Sequence, residues 1–531
     1  MQAKKFLSQL QSFWLPVILS LGLLFRCVNL GEKTYWVDEV ATSLRVSGYT
    51  HPEFVREISQ KPLIPISEFK PYQQPGNKPF GDTIKALSKS PEHAPLYFLL
   101  VKFWMHSFGS SVVATRSFSV VLSLLALPCI YALCWELFRC QTSGKVAVAL
   151  LSVSPFYVAY AQEARPYSLW LVTVLLSSLT LLKALKKDSK AHWGLYIFSV
   201  TLAFYTSLLS IFMWVAQTIY VGITEEFKLS SPLKKYAIAS GISFGCFTPW
   251  LWVIVNNWDR LQDNTVWMRV PLELFLMMIL WIYNTFIVFV ESPISLDASV
   301  IPRIILDVNL LLLVITALVC LCRRTPPQIW LYILCLIVVH PTLLILVDLV
   351  LGGQSSVAAR YIIPYHVGII LAVSHFFGYQ LKRNKMATPT ARKFWQMILT
   401  VLLLIGIFSC IYLLNNSPKY QKTRNISNVA IAQIINLQES PAVIAERSQL
   451  LDILSLSYLL KPNTQIYLAE PFNFSTACQT HFLFNPSQAL QTQLREKNNL
   501  KLEQIYQPQL LIASEIHLSL WTVVNLEKTC K

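Results

Sequence analysis

Long apolar runs recur through most of this 531-residue chain and constrain its fold more than any other feature. They follow one another from Phe13 to Leu414, and most approach the roughly 20 residues that a helix needs to cross a bilayer. Only 14% of the residues are charged, against about 25% in a typical soluble domain. We therefore predict a membrane domain over residues 1–414 and a small water-facing domain over 415–531.

Eleven apolar segments are clear candidates for membrane-spanning helices. They are Phe13–Leu30, Val112–Leu137, Val146–Ala161, Pro166–Leu182, Trp193–Ser207, Leu208–Thr224, Tyr236–Val255, Ile304–Cys322, Trp330–Leu351, Ala358–Phe377 and Phe394–Leu414. Two further segments are ambiguous. Ala94–Phe108 is short and carries Lys102 and His106, and Leu272–Val290 follows a polar, tryptophan-rich stretch.

Basic residues between the spans predict the orientation, because short loops rich in Lys and Arg stay in the cytoplasm. The chain has 44 Lys and Arg against 28 Asp and Glu, and much of this excess lies in such loops. With the N-terminus inside, the basic loops all fall inside only if the eleven clear segments cross and the two ambiguous ones do not. We predict about eleven spans, or thirteen if both ambiguous segments cross, with an extracytoplasmic C-terminal domain.

The predicted outer loop, residues 31–92, carries candidate catalytic groups at both ends. Asp38 and Glu39 follow two aromatic residues just beyond the first span. A carboxylate at the interface can act as a general base, although an adjacent acidic pair in a loop is more often simply solvated. Glu92 and His93 offer ligands for a divalent ion, or a histidine that meets a phosphate.

Several arginines lie near the predicted outer ends of spans. Arg165 sits in a short polar turn, Arg360 precedes Tyr361 at a late span, and Arg26 and Arg116 lie near the ends of theirs. A guanidinium binds phosphate through a fork of donors, so these residues indicate an anionic lipid headgroup. The alternative is an ion pair within the turn and side chains that only extend to the interface.

The order of these motifs resembles that of the protein-mannosyltransferase-like membrane glycosyltransferases with the GT-C fold, which include the lipid A aminoarabinose transferase. The resemblance is strongest over residues 20–180. It depends on Trp36-x-Asp38-Glu39, Glu92-His93-x-Pro95-Leu96-Tyr97, Arg116-Ser117-Phe118-Ser119, Gln162-Glu163-Ala164-Arg165-x-Tyr167 and Arg360-Tyr361-x-x-Pro364.

This resemblance implies transfer of a sugar from a polyprenyl-phosphate carrier to an extracytoplasmic acceptor, with inversion and without a nucleotide cofactor. Asp38 matches the proposed catalytic base of the family, with Glu39 beside it. Glu92 matches a residue that binds a divalent metal near the carrier phosphate in the aminoarabinose transferase, where a lysine follows instead of His93. That enzyme also has an arginine at the position of Ala41.

The same resemblance assigns the donor phosphate to a set of residues on the predicted outer side. These are His93, Arg116, Arg165, Arg360 and Tyr361. The expected partners are the lipid-linked donor, membrane lipid and a glycan, lipid or protein acceptor, and no nucleic acid. The expected location is the plasma membrane, which would be the inner membrane of a bacterium.

The C-terminal segment alternates strand-like and helix-like runs and is predicted to form a small α/β domain. The predicted strands are Ala442–Ala445, Gln465–Leu468, His481–Phe484 and Leu518–Val524, and the predicted helices are Leu450–Leu460 and Ser487–Arg495. Cys478 and Cys530 would form a disulfide if this domain is extracytoplasmic.

A transporter or flippase of lipid-linked glycans is the main alternative function. It would also have many spans and buried arginines, but it should show internal repeats or broken helices in matching halves. The sequence shows no convincing repeat, and the candidate residues gather on one predicted face. A polysaccharide polymerase or ligase, which also uses polyprenyl-linked donors, is a closer alternative.

Overall fold

A computed structural model describes most of the chain, which divides by its internal contacts into two units. The first unit comprises Met1–Leu30, Ser90–Tyr97 and Arg116–Asn416, and the second comprises Gly31–Lys89, Phe98–Thr115 and Ser417–Lys531. Helices and strands are numbered here in chain order. The described residues are 2–61, 63–76, 78–291, 300–383, 389–416, 423–469, 481–498, 501–508 and 518–524.

The first unit is built from helices. They are α1 (Gln2–Cys27), α6 (Val112–Phe138), α7 (Gln141–Ser152), α8 (Pro155–Ala161), α9 (Tyr167–Lys187), α10 (Lys190–Thr206), α11 (Ser210–Thr224), α12 (Ser231–Asn256), α13 (Trp258–Asn264), α14 (Leu274–Phe286), α15 (Val300–Arg324), α16 (Pro327–Leu351), α17 (Ile363–Arg383) and α18 (Pro389–Asn415). Helical structure lies at each of the eleven predicted spans, so the mainly α, polytopic fold is confirmed.

Six helices in the described part of the chain are each long and apolar enough to cross a bilayer. The bent pair α7 and α8 makes a seventh candidate. Shorter apolar helices lie at other predicted spans, including α11, and at the ambiguous segment that forms α14. The protein is therefore an integral membrane protein, and its number of crossings and its orientation stay predictions.

The junction of α7 and α8 is a 57° bend that frees backbone carbonyl groups inside the helical unit. Arg26 donates to the carbonyl oxygens of Leu151 at 3.0 Å and Ser152 at 2.6 Å. The thiol of Cys410 donates to the carbonyl oxygen of Val153 at 3.3 Å. Because lipid offers no hydrogen bonds, a broken helix in a membrane needs such donors from its own protein.

Two glycines let neighbouring helices approach this bend. A Cβ atom on Gly22 of α1 would lie 2.8 Å from the carbonyl oxygen of Ser152. A Cβ atom on Gly406 of α18 would lie 2.7 Å from the carbonyl oxygen of Val153. Backbone atoms cannot yield as a flexible side chain can, so these contacts require glycine.

The second unit combines the loop after α1, the segment after residue 97 and the C-terminal segment. Its helices are α2 (Val37–Val46), α3 (His51–Ile58), α4 (Phe80–Ser88), α5 (Leu96–Phe108, which begins in the first unit), α19 (Asn428–Ile435), α20 (Leu450–Ser457) and α21 (Gln488–Asn498). Its strands are β1 (Leu63–Pro65), β2 (Ala442–Ala445), β3 (Gln465–Leu468), β4 (His481–Phe484), β5 (Lys501–Tyr506) and β6 (Leu520–Val524).

The six strands form one mixed sheet in the order β1-β3-β2-β4-β6-β5. Strand β2 pairs in parallel with β3 and β4, and the remaining pairs are antiparallel. Strands β2, β3 and β4 have the predicted bounds, and α20, α21 and β6 lie at their predicted places. The small C-terminal α/β fold is therefore confirmed, and the predicted pair Cys478 and Cys530 lies outside the described residues.

The sequence did not predict that the loop after α1 contributes to this sheet. Leu63 of β1 pairs with Tyr467 of β3, and Ile64 pairs with Ile466. A three-residue strand is too short to show an alternating pattern, which explains why the sequence signal was absent. We predicted this loop as part of the membrane domain. In the structure it belongs to the second unit, together with the C-terminal segment.

The polar residues that made Ala94–Phe108 ambiguous explain its packing. The ammonium of Lys102 in α5 is buried, and it donates to the hydroxyl of Thr83 in α4 at 2.9 Å. The ring of His106 stacks on Phe80 with 6.3 Å between centroids. These contacts join α5 to the loop helix α4, because a buried ammonium must find hydrogen-bond acceptors.

We predict that Gly406→Ala lowers the apparent Tm of the detergent-solubilised protein, because the new methyl group would press on the Val153 carbonyl group. Overpacking of this kind typically costs about 1–3 kcal/mol. Gly245→Ala in α12 is the matched control, since a Cβ atom there meets nothing within 4 Å. An unchanged Tm for Gly406→Ala would contradict the close approach of α18 to the bend.

Candidate active site

Glu92 lies in the first unit and is held by α13. The side-chain amide of Asn264 donates to both carboxylate oxygens of Glu92, at 3.1 and 3.0 Å. The imidazole Nε2 of His93 lies 3.5 Å from Oε1 of the same carboxylate. Glu92 keeps 15% of its side-chain surface exposed, so it is shielded from bulk water while it remains accessible to a ligand.

The segment that follows α13 connects this carboxylate to Arg360. The guanidinium carbon of Arg360 lies 5.4 Å from the ring centroid of Trp267 and 5.3 Å from that of Tyr361, at cation–π distance. The amide nitrogen of Gln354 donates to Met268 O at 2.9 Å, and its side chain donates to Trp267 O at 3.0 Å. These contacts place the 354–361 segment beside the 264–268 segment.

Gln162 anchors the polar turn between α8 and α9 to the end of α1. The amide of Gln162 donates to the carbonyl oxygens of Phe25 at 2.8 Å and Val28 at 2.9 Å. It thereby satisfies carbonyl groups at the C-terminal end of α1, which have no partner within that helix. The Gln162–Tyr167 motif, which we predicted as part of the site, therefore includes a helix cap at Gln162.

Arg165 lies in the same turn and is buried. The hydroxyl of Ser119 donates to its carbonyl oxygen at 3.5 Å, and the hydroxyl groups of Tyr97 and Ser119 lie 2.8 Å apart. These contacts link the Glu92–Tyr97 motif to the turn. The guanidinium carbon of Arg165 lies 5.9 Å from the ring centroid of Tyr167.

A pair of tyrosines connects the two arginine motifs. The rings of Tyr160 and Tyr167 lie 4.8 Å apart in an edge-to-face arrangement. Tyr160 is also within electrostatic range of Arg360 and Tyr361. The structure thus brings the 160–167 turn, the 360–361 motif and, through α13, the Glu92 motif together within the first unit.

The side chains of Arg26 and Arg116 bind backbone carbonyl groups and therefore have structural roles. Both are fully buried. Arg26 binds carbonyl groups at the α7–α8 bend, and Nη1 of Arg116 donates to the carbonyl oxygen of Leu30 at 2.7 Å. The predicted role of Arg116 in phosphate binding stays a prediction, and its contact with Leu30 gives it a second, structural function.

Asp38 and Glu39 lie in the second unit, in the first turn of α2. Asp38 is half-buried and Glu39 is fully buried. At these positions the positive end of the helix dipole favours a negative charge. Their predicted meeting with Glu92 and the arginines stays a prediction.

The described residues do not include a group of three or more His, Cys, Asp or Glu side chains that could hold a metal ion. Glu92 offers one carboxylate, with the imidazole of His93 nearby. Mg²⁺ commonly takes one or two carboxylates and completes its shell with water and substrate phosphates. Glu92 therefore fits a cation shared with a phosphate, and metal binding stays a prediction.

Asn264 and Trp267 are site residues that sequence reasoning missed. They lie in the polar, tryptophan-rich stretch before the ambiguous segment Leu272–Val290. Trp267 remains 43% exposed although it contacts Arg360. An aromatic residue that is neither buried nor in a span was the available signal, because such residues mark binding surfaces and interfaces.

We predict that Asn264→Leu loosens the α13 segment, because it removes two hydrogen bonds to a carboxylate. Each bond of this partly exposed type is worth about 1 kcal/mol, so the loss of both should raise hydrogen exchange over residues 258–269 by about thirtyfold. Asn256→Leu is the control, since the amide of Asn256 donates to Trp252 O of its own helix. Equal exchange in the two variants would contradict the anchoring by Glu92.

One segment of the chain is similar to a known protein family. Residues 92–253 match the family model of dolichyl-phosphate-mannose-protein mannosyltransferases. A search of curated proteins finds no match.

Two solved structures share the fold along nearly their whole length. One is ArnT from Cupriavidus metallidurans in the apo state, with 13% identity, a TM-score of 0.52 and coverage of 96% of this chain and 98% of that one. The other is the same enzyme bound to undecaprenyl phosphate, with 13% identity, a TM-score of 0.51 and coverage of 98% and 99%. The chain therefore shares the GT-C fold of these structures, and its segment 92–253 is similar to the dolichyl-phosphate-mannose-protein mannosyltransferases.

Proposed function

We propose that this protein transfers a hexosyl or pentosyl group from a polyprenyl-phosphate donor to a hydroxyl group of a cell-envelope glycan, lipid or protein. The observation that carries the proposal is that Arg165 lies near Tyr167 and Arg360 lies on Trp267 and Tyr361, with Glu92 tied to the Trp267 segment through Asn264. Two guanidinium groups on an aromatic, partly buried surface suit a lipid phosphate.

The donor class is further supported by a protein with the same fold. ArnT from Cupriavidus metallidurans has been solved with undecaprenyl phosphate bound. We extend that ligand class to this chain because its arginines offer donors for a phosphate monoester. A lipid-linked donor also removes the need for a loop that binds a nucleotide.

In the proposed reaction Asp38 takes the proton from the acceptor hydroxyl group, whose oxygen then attacks the anomeric carbon. The bond between that carbon and the phosphate oxygen breaks, and the sugar configuration inverts. Polyprenyl phosphate leaves with one additional negative charge. Arg165 and Arg360 stabilise this developing charge, and electrostatic stabilisation of this kind is usually the largest single contribution to catalysis.

Glu39 and Glu92 have supporting roles in this scheme. Glu39 is buried beside Asp38 at the start of α2, where the positive end of the helix dipole favours a negative charge next to the base. Glu92, with His93, would hold a divalent cation near the donor phosphate. Such a cation would supply Lewis-acid stabilisation of the phosphate oxygens.

The proposed location is the plasma membrane, with the N-terminus in the cytoplasm and the reaction on the extracytoplasmic face. This orientation follows from the basic loops, which it places in the cytoplasm. The acceptor would then belong to the cell envelope. A flippase that moves lipid-linked glycans is the alternative, and it would transport the donor without forming a glycosidic bond.

We predict that Asp38→Asn lowers the rate of sugar transfer from a purified polyprenyl-phosphate sugar by about 10²–10⁴-fold, the usual contribution of a general base. The measurement is radiolabelled sugar incorporated into a membrane acceptor fraction. Glu68→Gln is the control, because its ion pair with Lys61 lies on the exposed surface of the second unit. Undiminished transfer by Asp38→Asn would remove Asp38 from the role of base.

We predict that Arg360→Lys keeps the positive charge and still lowers transfer by about tenfold, because lysine lacks the planar fork that binds phosphate and packs on Trp267. The assay is the same transfer measurement, with the donor concentration varied. Arg323→Lys, at the exposed end of α15, is the matched control. Equal rates for the two variants would argue against a phosphate contact by Arg360.

A further inference from the structure

Helix α2, which carries Asp38, begins without a cap from its own sequence. Trp36 occupies the N-cap position and makes no side-chain hydrogen bond to the helix. The backbone N–H group of Val37 instead donates to Oδ1 of Asn425 at 2.8 Å, and Val37 and Asn425 are both buried. An amide from the C-terminal segment thus takes the place of a local cap, 388 residues along the chain.

The neighbours of Asn425 fix the direction of its amide group. Its Nδ2 donates to Oδ1 of Asp452 at 3.1 Å. The same carboxylate accepts two bonds from the guanidinium fork of Arg424, at 2.9 and 2.6 Å. Because Asp452 accepts hydrogen bonds and does not donate them, the amide oxygen of Asn425 must turn toward Val37.

A second arm holds the backbone on the other side of Trp36. The hydroxyl of Ser455 donates to the carbonyl oxygen of Tyr35 at 2.7 Å. Nδ2 of Asn428 donates to that hydroxyl oxygen at 3.0 Å, which leaves the hydroxyl hydrogen for Tyr35. Asn428 and Ser455 are fully buried, so neither bond competes with water.

We propose that Asn425 and Ser455 are positioning residues for Asp38. Their two hydrogen bonds clamp the backbone at residues 35 and 37, directly before the carboxylate. The inference rests on the proposed function, in which Asp38 is the base. A displacement of about 1 Å at a reacting group can cost about 10²-fold in rate, so this clamp controls turnover while donor binding depends on other residues.

The test swaps the amide and the carboxylate between positions 425 and 452, which are joined by a hydrogen bond. Asn425→Asp keeps an acceptor for Val37 but places two carboxylates together, and kcat should fall at least tenfold with the donor KM within twofold. Asn425→Asp combined with Asp452→Asn restores one donor and one acceptor at the same net charge. Because Asp452→Asn leaves Arg424 one acceptor oxygen instead of two, this double variant should recover kcat in part, to at least about threefold above Asn425→Asp.

Hydrogen exchange of residues 37–46 gives a readout that does not depend on activity. It should accelerate in Asn425→Asp and return toward the wild-type rate in the double variant. Asn436→Asp is the matched control, since Asn436 bonds to Leu459 O and to the backbone nitrogen of Lys461, within the C-terminal segment. Its kcat and its exchange over residues 37–46 should match the wild type.

The outcomes separate the two proposals. Absence of transfer by the wild-type protein overturns the proposed function. Wild-type transfer with an unchanged kcat in Asn425→Asp overturns the positioning role alone, and an equal loss in Asn436→Asp does the same. If Asn425→Asp fails to fold, Ser455→Ala replaces it, and an unchanged kcat in that variant would overturn the proposal.

Discussion

Inside a bilayer every backbone group must find its hydrogen-bond partner within the protein. Much of the first unit depends on how the backbone carbonyl groups are paired at one broken helix. The bend between α7 and α8 is satisfied by Arg26 and Cys410. Two other helices approach it closely through Gly22 and Gly406. Helix α8 then leads directly into the polar turn that carries Arg165, so the bend also positions a candidate site residue.

The candidate site divides into groups that touch a ligand in the proposed reaction and groups that hold them. Gln162 caps α1, and Ser119 binds the backbone of Arg165. Asn264 binds Glu92. In the second unit Asn425 and Ser455 hold the start of α2 by hydrogen bonds to its backbone. Both units therefore hold their charged groups through amide and hydroxyl groups. Those of Gln162, Ser119, Asn425 and Ser455 are buried, where water does not compete for them, whereas the Asn264 amide is exposed.

The loop after α1 is folded as part of the second unit. Strand β1 extends the C-terminal sheet, and α2 is held by residues of α20 and of the segment before α19. The predicted base thus belongs to a unit with its own hydrophobic core and sheet. A residue from a long loop is thereby held on a folded unit, as the proposed acid–base role of Asp38 requires.

The sequence by itself determined the helical membrane class, the strands β2, β3 and β4 and the motifs that resemble the GT-C transferases. These features depend on local hydrophobic patterns and on residues that are adjacent in the chain. Only the tertiary structure decided that Arg26 serves a bend, that Gln162 caps α1, that Asn264 holds Glu92 and that β1 joins the C-terminal sheet. Each of these contacts joins residues about a hundred or more positions apart, and no local pattern encodes the partner of a hydrogen bond at that separation.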